Sequence, residues 1–316
     1  MSVNNLTPES ILLSSSVKDS WFSKPAISTN PNGGARITNE GCYNYPAKTI
    51  YKSSKPSILP GVIAFDLDET IGSFSDFHSL WYMLEDEMKT QDVFNDIMNL
   101  YPEFLRVGIV SVLSFIQKKK DRGHCLPIYI YTNNQCEDPK WVDRLIHYLE
   151  LCVGTGSNLF AKPICAFKIR NNFVQPGRTT HEKTYSDFVR CSMIKSENLC
   201  FIDDSYHEKM KHHKVYYIQP PPYIHKLSKK EVMDRFMNSE ICKRLYPENM
   251  RTMNIFAGVS AGKLRDPSYY EKEKNVTNKI MYYIREFFFI CSKKNKTKKR
   301  RSSRTCRFSR KRHILV

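Results

Sequence analysis

The stretch Val62-Ile63-Ala64-Phe65-Asp66-Leu67-Asp68-Glu69-Thr70 decides the fold. Its four apolar residues are too few for a helix and predict a short buried strand, which begins just after Pro60-Gly61. The carboxylates Asp66 and Asp68 follow at once. In an open α/β sheet, ligands bind at the carboxyl ends of the strands. The stretch therefore predicts a strand that carries two acidic groups into a binding edge.

Three later apolar runs repeat this pattern of a buried strand that ends in polar or breaking residues. They are 128–131 before Thr132, 199–202 before Asp203-Asp204, and 215–218 before three prolines. The intervening segments show helical periodicity, including 76–120, and Thr179-x-x-Glu182 predicts the capping box of a helix. This alternation predicts a three-layer, Rossmann-like α/β fold with a central parallel sheet.

Composition divides the chain of 316 residues into four regions. We expect a flexible N-terminal extension with little core, a catalytic domain with a helical insert after the first motif, a C-terminal helical extension and a basic, disordered tail. Their boundaries are 1–58, 59–222, 223–291 and 292–316.

The tail concentrates the positive charge. Residues 292–316 hold twelve of the basic residues and no acidic one, so the formal net charge of +17 leaves +5 for the rest. Self-repulsion of this kind predicts disorder. The functional interpretation is contact with nucleic acid or an acidic partner, or nuclear import, and the alternative is a solubilising tail.

The cysteines and apolar runs indicate where in the cell the protein is expected. None of the ten cysteines forms a C-x-x-C pair, so we expect free thiols rather than a zinc site or a compact disulfide framework. The N-terminal MSVNNLTPES lacks the pattern of a signal peptide, and the run 280–291 is too short to span a bilayer. We expect an intracellular protein that is not secreted and has no membrane span.

Paired carboxylates at a strand end suit phosphoryl transfer. One carboxylate attacks phosphorus to form an aspartyl-phosphate, and the other protonates the leaving oxygen and then activates water. A hard cation such as Mg²⁺ offsets the clustered negative charge. Charge on the phosphoryl oxygens calls for a hydroxyl and a cation, which Thr132 and Lys183 can supply, while Asp203 and Asp204 can complete the metal shell. Lys162, Lys168 and Lys195 are nearby alternatives to Lys183.

The order D-x-D-x-T, strand-Thr, Lys and strand-Asp-Asp resembles the haloacid-dehalogenase superfamily of phosphotransferases. The form DLDET, the segment 160–167, Lys183 and CFIDDS are similar to the branch of RNA polymerase II C-terminal-domain phosphatases, the NLI-interacting-factor-like group. The resemblance covers residues 60–222 and departs at Tyr131-Thr132-Asn133-Asn134, where that group usually carries Trp-Thr. The basic tail and the divergence would suit a member encoded by a large DNA virus.

The resemblance implies Mg²⁺ as cofactor and a phosphoserine or phosphothreonine protein as substrate, such as an RNA polymerase tail. It implies Asp66 as nucleophile, Asp68 as acid and base, and Thr132, Lys183 and Asn133 as phosphate ligands. The implied metal ligands are Asp66, Asp68 through its backbone carbonyl, and Asp203 or Asp204.

Two other functions remain open. A nucleotide or polynucleotide phosphatase would use the same chemistry, and the basic tail favours it. A non-catalytic binding module on this fold would be expected to lose a motif aspartate, whereas Asp66 and Asp68 are both present. The segment 207–212 is not H-E-x-x-H, because its histidines are five apart, and we interpret it as a solvated charged helix.

Overall fold

The computed structural model describes residues 36–46, 60–136, 140–154, 158–194, 198–246 and 268–308, with side chains of the last segment described to residue 292. Within these ranges lies a six-stranded sheet in the order β1-β2-β8-β7-β3-β4, and β5 pairs with β6 in a separate hairpin. The strands are β1 (Arg36–Ile37), β2 (Tyr43–Tyr45), β3 (Val62–Phe65), β4 (Tyr129–Ile130), β5 (Lys168–Ile169), β6 (Asn172–Phe173), β7 (Leu199–Ile202) and β8 (Val215–Gln219).

The α-helices described connect and flank these strands. The region between the first two motifs folds into three of them, as its periodicity predicts. They are α1 (Ser75–Met83), α2 (Gln91–Leu100), α3 (Ile109–Asp121), α4 (Trp141–Val153), α5 (Tyr185–Ser192), α6 (Lys229–Met237), α7 (Glu240–Leu245) and α8 (Ser268–Phe308).

Strand β3 lies inside the sheet, parallel to β4 on one side and β7 on the other, and β7 is parallel to β8. Both β3 and β7 are buried along their whole length, which explains their unbroken apolar sequences. The predicted central parallel sheet is confirmed, and the carboxyl ends of β3, β4 and β7 meet at one edge.

Helices cover both faces of the sheet because alternate strand residues point to opposite sides. Val62 and Ala64 pack with Phe188 of α5, whereas Ile63 and Phe65 belong to the larger core with helices α1 to α4 and α8. Fully burying one such large apolar side chain stabilises the fold by about 1.5–3 kcal/mol. The architecture is a mixed α/β sandwich compatible with a Rossmann-like fold.

The sheet extends further toward the N-terminus than its sequence indicates. Strand β2 pairs antiparallel with β8, and β1 pairs with β2. Cys42 and Asn44 are fully buried there. The expectation of an extension with little core over 1–58 is therefore wrong for residues 36–46. Strands of two and three residues are too short to show a periodic pattern.

The C-terminal helix α8 shares the hydrophobic core of the central sheet. Ile280, Ile284 and Phe287 of α8 lie in the same cluster as Phe65 of β3. Helix α8 also continues through Phe308. The backbone of residues 292–308 is therefore helical, where the sequence predicts disorder. Residues 309–316 lie outside the described residues. Lysine and arginine have good helix propensity, and extending a docked helix avoids the cost of nucleation.

One disulfide corrects the expectation that all thiols are free. Cys136 and Cys165 are bonded, with Cα atoms 5.8 Å apart, and they are separated by 29 positions in sequence. They lie on separate loops, so only the tertiary fold brings them together. No helix within the described residues is long and apolar enough to cross a membrane.

Candidate active site

A pocket of about 260 Å³ opens at the carboxyl ends of β3, β4 and β7. It collects most of the residues that the sequence predicted for the site, although they come from distant parts of the chain. Its lining is Asp66, Asp68, Thr132, Asn133, Asn134, Lys183, Asp203, Ser205 and His207.

Lys183 bridges two carboxylates at the base of this pocket. Its Nζ donates to Asp66 Oδ1, and it lies 2.7 Å from Asp203 Oδ2. The lysine precedes Thr184, the N-cap of α5, whose hydroxyl accepts from the Asp187 N–H at 3.0 Å. A fixed helix start therefore aims Lys183 at the ends of β3 and β7.

The other lysines do not take this position. Lys162 is exposed, Lys168 lies on the hairpin with its Nζ 4.1 Å from the Phe173 ring centroid, and Lys195 is outside the described residues. The choice of Lys183 is thus supported by its two carboxylate partners.

Burial and the neighbouring charges shift the pKa values of Asp66, Asp203 and Lys183 in different directions. Burial raises the pKa of Asp66 to about 8 against the opposing attraction of Lys183. Burial also acts to raise the pKa of Asp203, but Lys183 and His207 outweigh it and lower the value. For Lys183, burial is outweighed by the two carboxylates, which raise its pKa and keep it charged. Lys183 and Asp203 therefore form a charged pair, whereas Asp66 keeps its proton up to a pH of about 8 unless a further cation offsets its charge.

Three carboxylates lie close enough to hold a cation. One oxygen each of Asp66, Asp203 and Asp204 fall within 4.8 Å of one another. Carboxylate oxygens are the hard ligands that Mg²⁺ takes. The residues present therefore fit a metal ion of this class.

Asp203 and Asp204 differ in what binds them. Asp203 Oδ1 accepts from the Ser205 N–H at 2.9 Å, and its Oδ2 contacts Lys183. Asp204 Oδ1 accepts from the Thr70 hydroxyl at 2.8 Å, and no other described side chain binds its second oxygen. Asp203 thus orients Lys183, and Asp204 keeps an oxygen for a ligand.

The carboxylate of Asp68 is not part of this cluster. It lines the pocket apart from the three clustered oxygens, and its Oδ2 accepts from the Asn134 amide at 3.0 Å. The ligand role expected of Asp68 is through its backbone carbonyl, and it stays a prediction. A place on the pocket wall fits the acid and base role.

The loop that contains Asp66 and Asp68, which we call the first-motif loop (66–72), folds tightly. Glu69 has a left-handed φ of 55°, and its N–H donates to the Gly72 carbonyl at 2.7 Å. A Cβ on Gly72 would lie 2.4 Å from the Phe104 carbonyl oxygen, so only glycine fits there. The turn ends the segment in which Asp66 binds Lys183 and Asp68 binds Asn134.

Arg106 fixes this loop from behind. Its guanidinium donates to the carbonyl oxygens of Thr70 and Glu69, both at 2.7 Å, and of Pro221 at 2.8 Å. It also donates to Glu273 of α8 at 3.0 Å. No sequence pattern marks Arg106, because its partners are carbonyl groups and a carboxylate far along the chain.

Arg178 plays the corresponding part at the loop after β4, the second-motif loop (132–136). It donates to the carbonyl oxygens of Thr132 at 3.0 Å and Cys165 at 2.8 Å, and to Asn133 Oδ1 at 2.9 Å. The exposed Asn133 is thus held by Arg178, while Thr132 is almost completely buried. The sequence carries no pattern that marks Arg178, because its partners are mainly carbonyl oxygens.

His207 corrects a second expectation. It does not lie on a solvated α-helix but lines the pocket, with Nε2 3.4 Å from Asp203 Oδ2. Only the short 3-10 turn Glu208–Met210 follows it. The segment is thus part of the site, although not as a zinc motif.

No protein-family model, curated protein or solved structure matches this chain. The interpretation of the pocket accordingly depends on its own geometry.

Proposed function

We propose that the chain is a Mg²⁺-dependent phosphatase of phosphoserine or phosphothreonine proteins, with Asp66 as the nucleophile. The observation that carries the proposal is the contact of Lys183 with both Asp66 and Asp203 in a pocket whose wall holds Asp68. The substrate class follows from the sequence resemblance, and the reaction class from this arrangement.

The residues divide the work of the reaction. Asp66 attacks phosphorus as the bond to the leaving oxygen breaks, and Asp68 gives that oxygen its proton. Asp68, now a carboxylate, then takes a proton from the water that hydrolyses the aspartyl-phosphate. Lys183 and the Thr132 hydroxyl would donate to the phosphoryl oxygens and offset their charge, whereas the Thr132 N–H is already donated to the Ile164 carbonyl at 2.9 Å.

Asp66 and Asp204 would hold the Mg²⁺, with Asp203 orienting Lys183. When bound, the ion neutralises negative charge on the phosphoryl group and on the nucleophile's surroundings. Asp66, whose pKa is raised by burial, would then stay ionised near neutral pH.

The test is Mg²⁺-dependent phosphate release from p-nitrophenyl phosphate and phosphoserine peptides. Asp66→Asn should abolish turnover on both, because the amide cannot attack phosphorus. The matched control is Asp143→Asn, since Asp143 is an exposed aspartate on α4. Turnover that survives Asp66→Asn would contradict the proposal.

A polynucleotide phosphatase is the second candidate, favoured by the helical backbone that continues into the basic segment after residue 292. Phosphorylated oligonucleotides and phosphopeptides should be compared with the full chain and with a chain ending at residue 292. A preference for oligonucleotides that disappears on truncation would favour this candidate over the first. No turnover of either, with bound Mg²⁺, would favour a non-catalytic binding module.

A further inference from the structure

The side chain of Asp68 is held by a short hydrogen-bonded chain that its proposed role does not by itself require. Asn134 Nδ2 donates to Asp68 Oδ2 at 3.0 Å, and the Trp141 indole Nε1–H donates to Asn134 Oδ1 at 3.2 Å. Asn134 lies in the second-motif loop, and Trp141 is the first residue of α4.

The indole fixes which way the Asn134 amide points. An indole N–H can only donate, so it selects the carbonyl oxygen of the amide and turns the NH₂ group toward Asp68. The backbone of Asn134 is bound as well, because its N–H donates to the Thr132 hydroxyl at 3.0 Å and its carbonyl accepts from the Ala166 N–H at 3.0 Å. Asn134 therefore has little freedom to rotate away.

Trp141 is itself immobilised. It is almost completely buried, with ring centroids 5.8 Å from Phe74 and 4.1 Å from His78, the latter packed edge to face. Phe74 and His78 belong to the segment that follows the first-motif loop, so the segments around both motifs clamp the indole. The orientation of the amide is thus built into the core rather than left to solvent.

We propose that Asn134 and Trp141 are positioning residues that fix the proton of Asp68 on the oxygen facing the substrate, an inference that rests on the proposed function. A protonated carboxyl has one hydroxyl oxygen and one carbonyl oxygen. The donor from Asn134 marks Oδ2 as the carbonyl oxygen, so the transferable proton is on Oδ1. As the bond from phosphorus to the leaving oxygen breaks, that oxygen takes the proton from Oδ1 and Asp68 becomes a carboxylate. Water returns a proton to Oδ1 in the second step.

Leaving groups of different basicity separate this role from a structural one. A serine alkoxide needs a proton to leave, whereas p-nitrophenolate leaves readily without one, so general acid catalysis matters far more for the peptide. Asn134→Ala should lower kcat on a phosphoserine peptide about 10–100-fold and on p-nitrophenyl phosphate less than about threefold. Trp141→Phe, which keeps a ring but loses the N–H, should give the same pattern with a smaller loss.

Trp81→Phe is the matched control. Trp81 is buried in the same aromatic core, but its indole nitrogen has no hydrogen-bond partner among the described residues. Its replacement should change both substrates equally or not at all. Equal losses on both substrates in Asn134→Ala would overturn the proposal, whereas absence of turnover by the unaltered protein would overturn the proposed function instead.

A second readout needs neither metal nor substrate. The chain has three tryptophans, so its indole N–H signals are few enough to resolve in a ¹H–¹⁵N spectrum, and Trp141→Phe identifies the one in question. Asn134→Ala should shift that signal upfield and speed its exchange with water, while the Trp81 signal stays in place. A Trp141 signal unchanged by Asn134→Ala would contradict the hydrogen bond on which the inference depends.

Discussion

Two buried cations, Lys183 and Arg106, hold the strand end and its loop from opposite sides. Lys183 contacts the carboxylates of Asp66 and Asp203 at the pocket, with Asp204 close by. Arg106 contacts one carboxylate, Glu273, and otherwise carbonyl oxygens. Arg106 has one carboxyl group beside it, whereas Lys183 lies beside a cluster of three, which carry an excess of negative charge once all are ionised. Arg106 thus completes the structure, whereas Lys183 belongs to a cluster that could hold a further positive ion.

Removing Arg106 should have the largest effect, and that effect should be on stability. Arg106→Met should lower the free energy of unfolding by about 3–5 kcal/mol, because Glu273 would be left buried and uncompensated. Urea unfolding followed by circular dichroism would measure this. Arg235→Met is the control, since Arg235 pairs with Glu103 but is partly exposed, and it should cost much less. A loss as small as that of the control would contradict a structural role for Arg106.

Removing Lys183 should instead affect catalysis. Lys183→Met is expected to lower kcat about 10²–10³-fold, as for the loss of one donor that stabilises transition-state charge. Initial rates at saturating Mg²⁺ and substrate would give kcat. The exposed Lys209, which pairs with Glu182 near the pocket, supplies the matched Lys209→Met control. Comparable rates in the two variants would refute the assignment of Lys183.

Because Asp66, Asp203 and Asp204 lie together, we expect a metal ion to stabilise the folded protein. Mg²⁺ at about 100 times its Kd should raise the free energy of unfolding by about 2.7 kcal/mol. Thermal unfolding with Mg²⁺ and with EDTA would measure the gain, and Asp204→Ala should lose most of it. Asp234→Ala, at an exposed aspartate of α6, should retain it. A full response in Asp204→Ala would remove Asp204 from the metal site.

The smallest effect is expected at Glu273. Glu273→Gln should destabilise the protein by about 1–2 kcal/mol, because Arg106 keeps its carbonyl partners and the amide oxygen can still accept. The same urea titration applies. A loss equal to that of Arg106→Met would mean that the ion pair, rather than the carbonyl contacts, carries the effect of Arg106.

The strands that form the site could be predicted because each is a short apolar run that ends in the functional residue. Strands β3 and β7 lie where the sequence placed them, and Asp66 and Asp203 follow directly. Helix α5 begins at Tyr185, later than Thr179-x-x-Glu182 predicted, since Thr184 caps it and Thr179 instead bonds to Asp187 at 3.0 Å. A short apolar run thus marks the end of a strand well, whereas a capping pattern does not tell which of two nearby threonines begins the helix.

The parts that could not be predicted depend on partners distant in sequence. Arg106 and Arg178 bind carbonyl oxygens, which every residue has, so no residue type marks their partners. Asn134 was visible only as a departure from the resembling group, and its contact with Asp68 spans 66 positions. The sequence does not tell whether Asp203 or Asp204 is the metal ligand, because only geometry separates the one bound by Lys183 from the one bound by Thr70.

The ion pair of Arg106 and Glu273 also sets an order of events during synthesis of the chain. The two residues are 167 positions apart, so at about 5–20 residues per second the ribosome adds Glu273 roughly 10–30 s after Arg106. Until helix α8 has emerged, Arg106 has no carboxylate partner, and the loop behind the nucleophile lacks its final support. A nascent chain can therefore form the sheet strands early yet complete its pocket only near the end of translation.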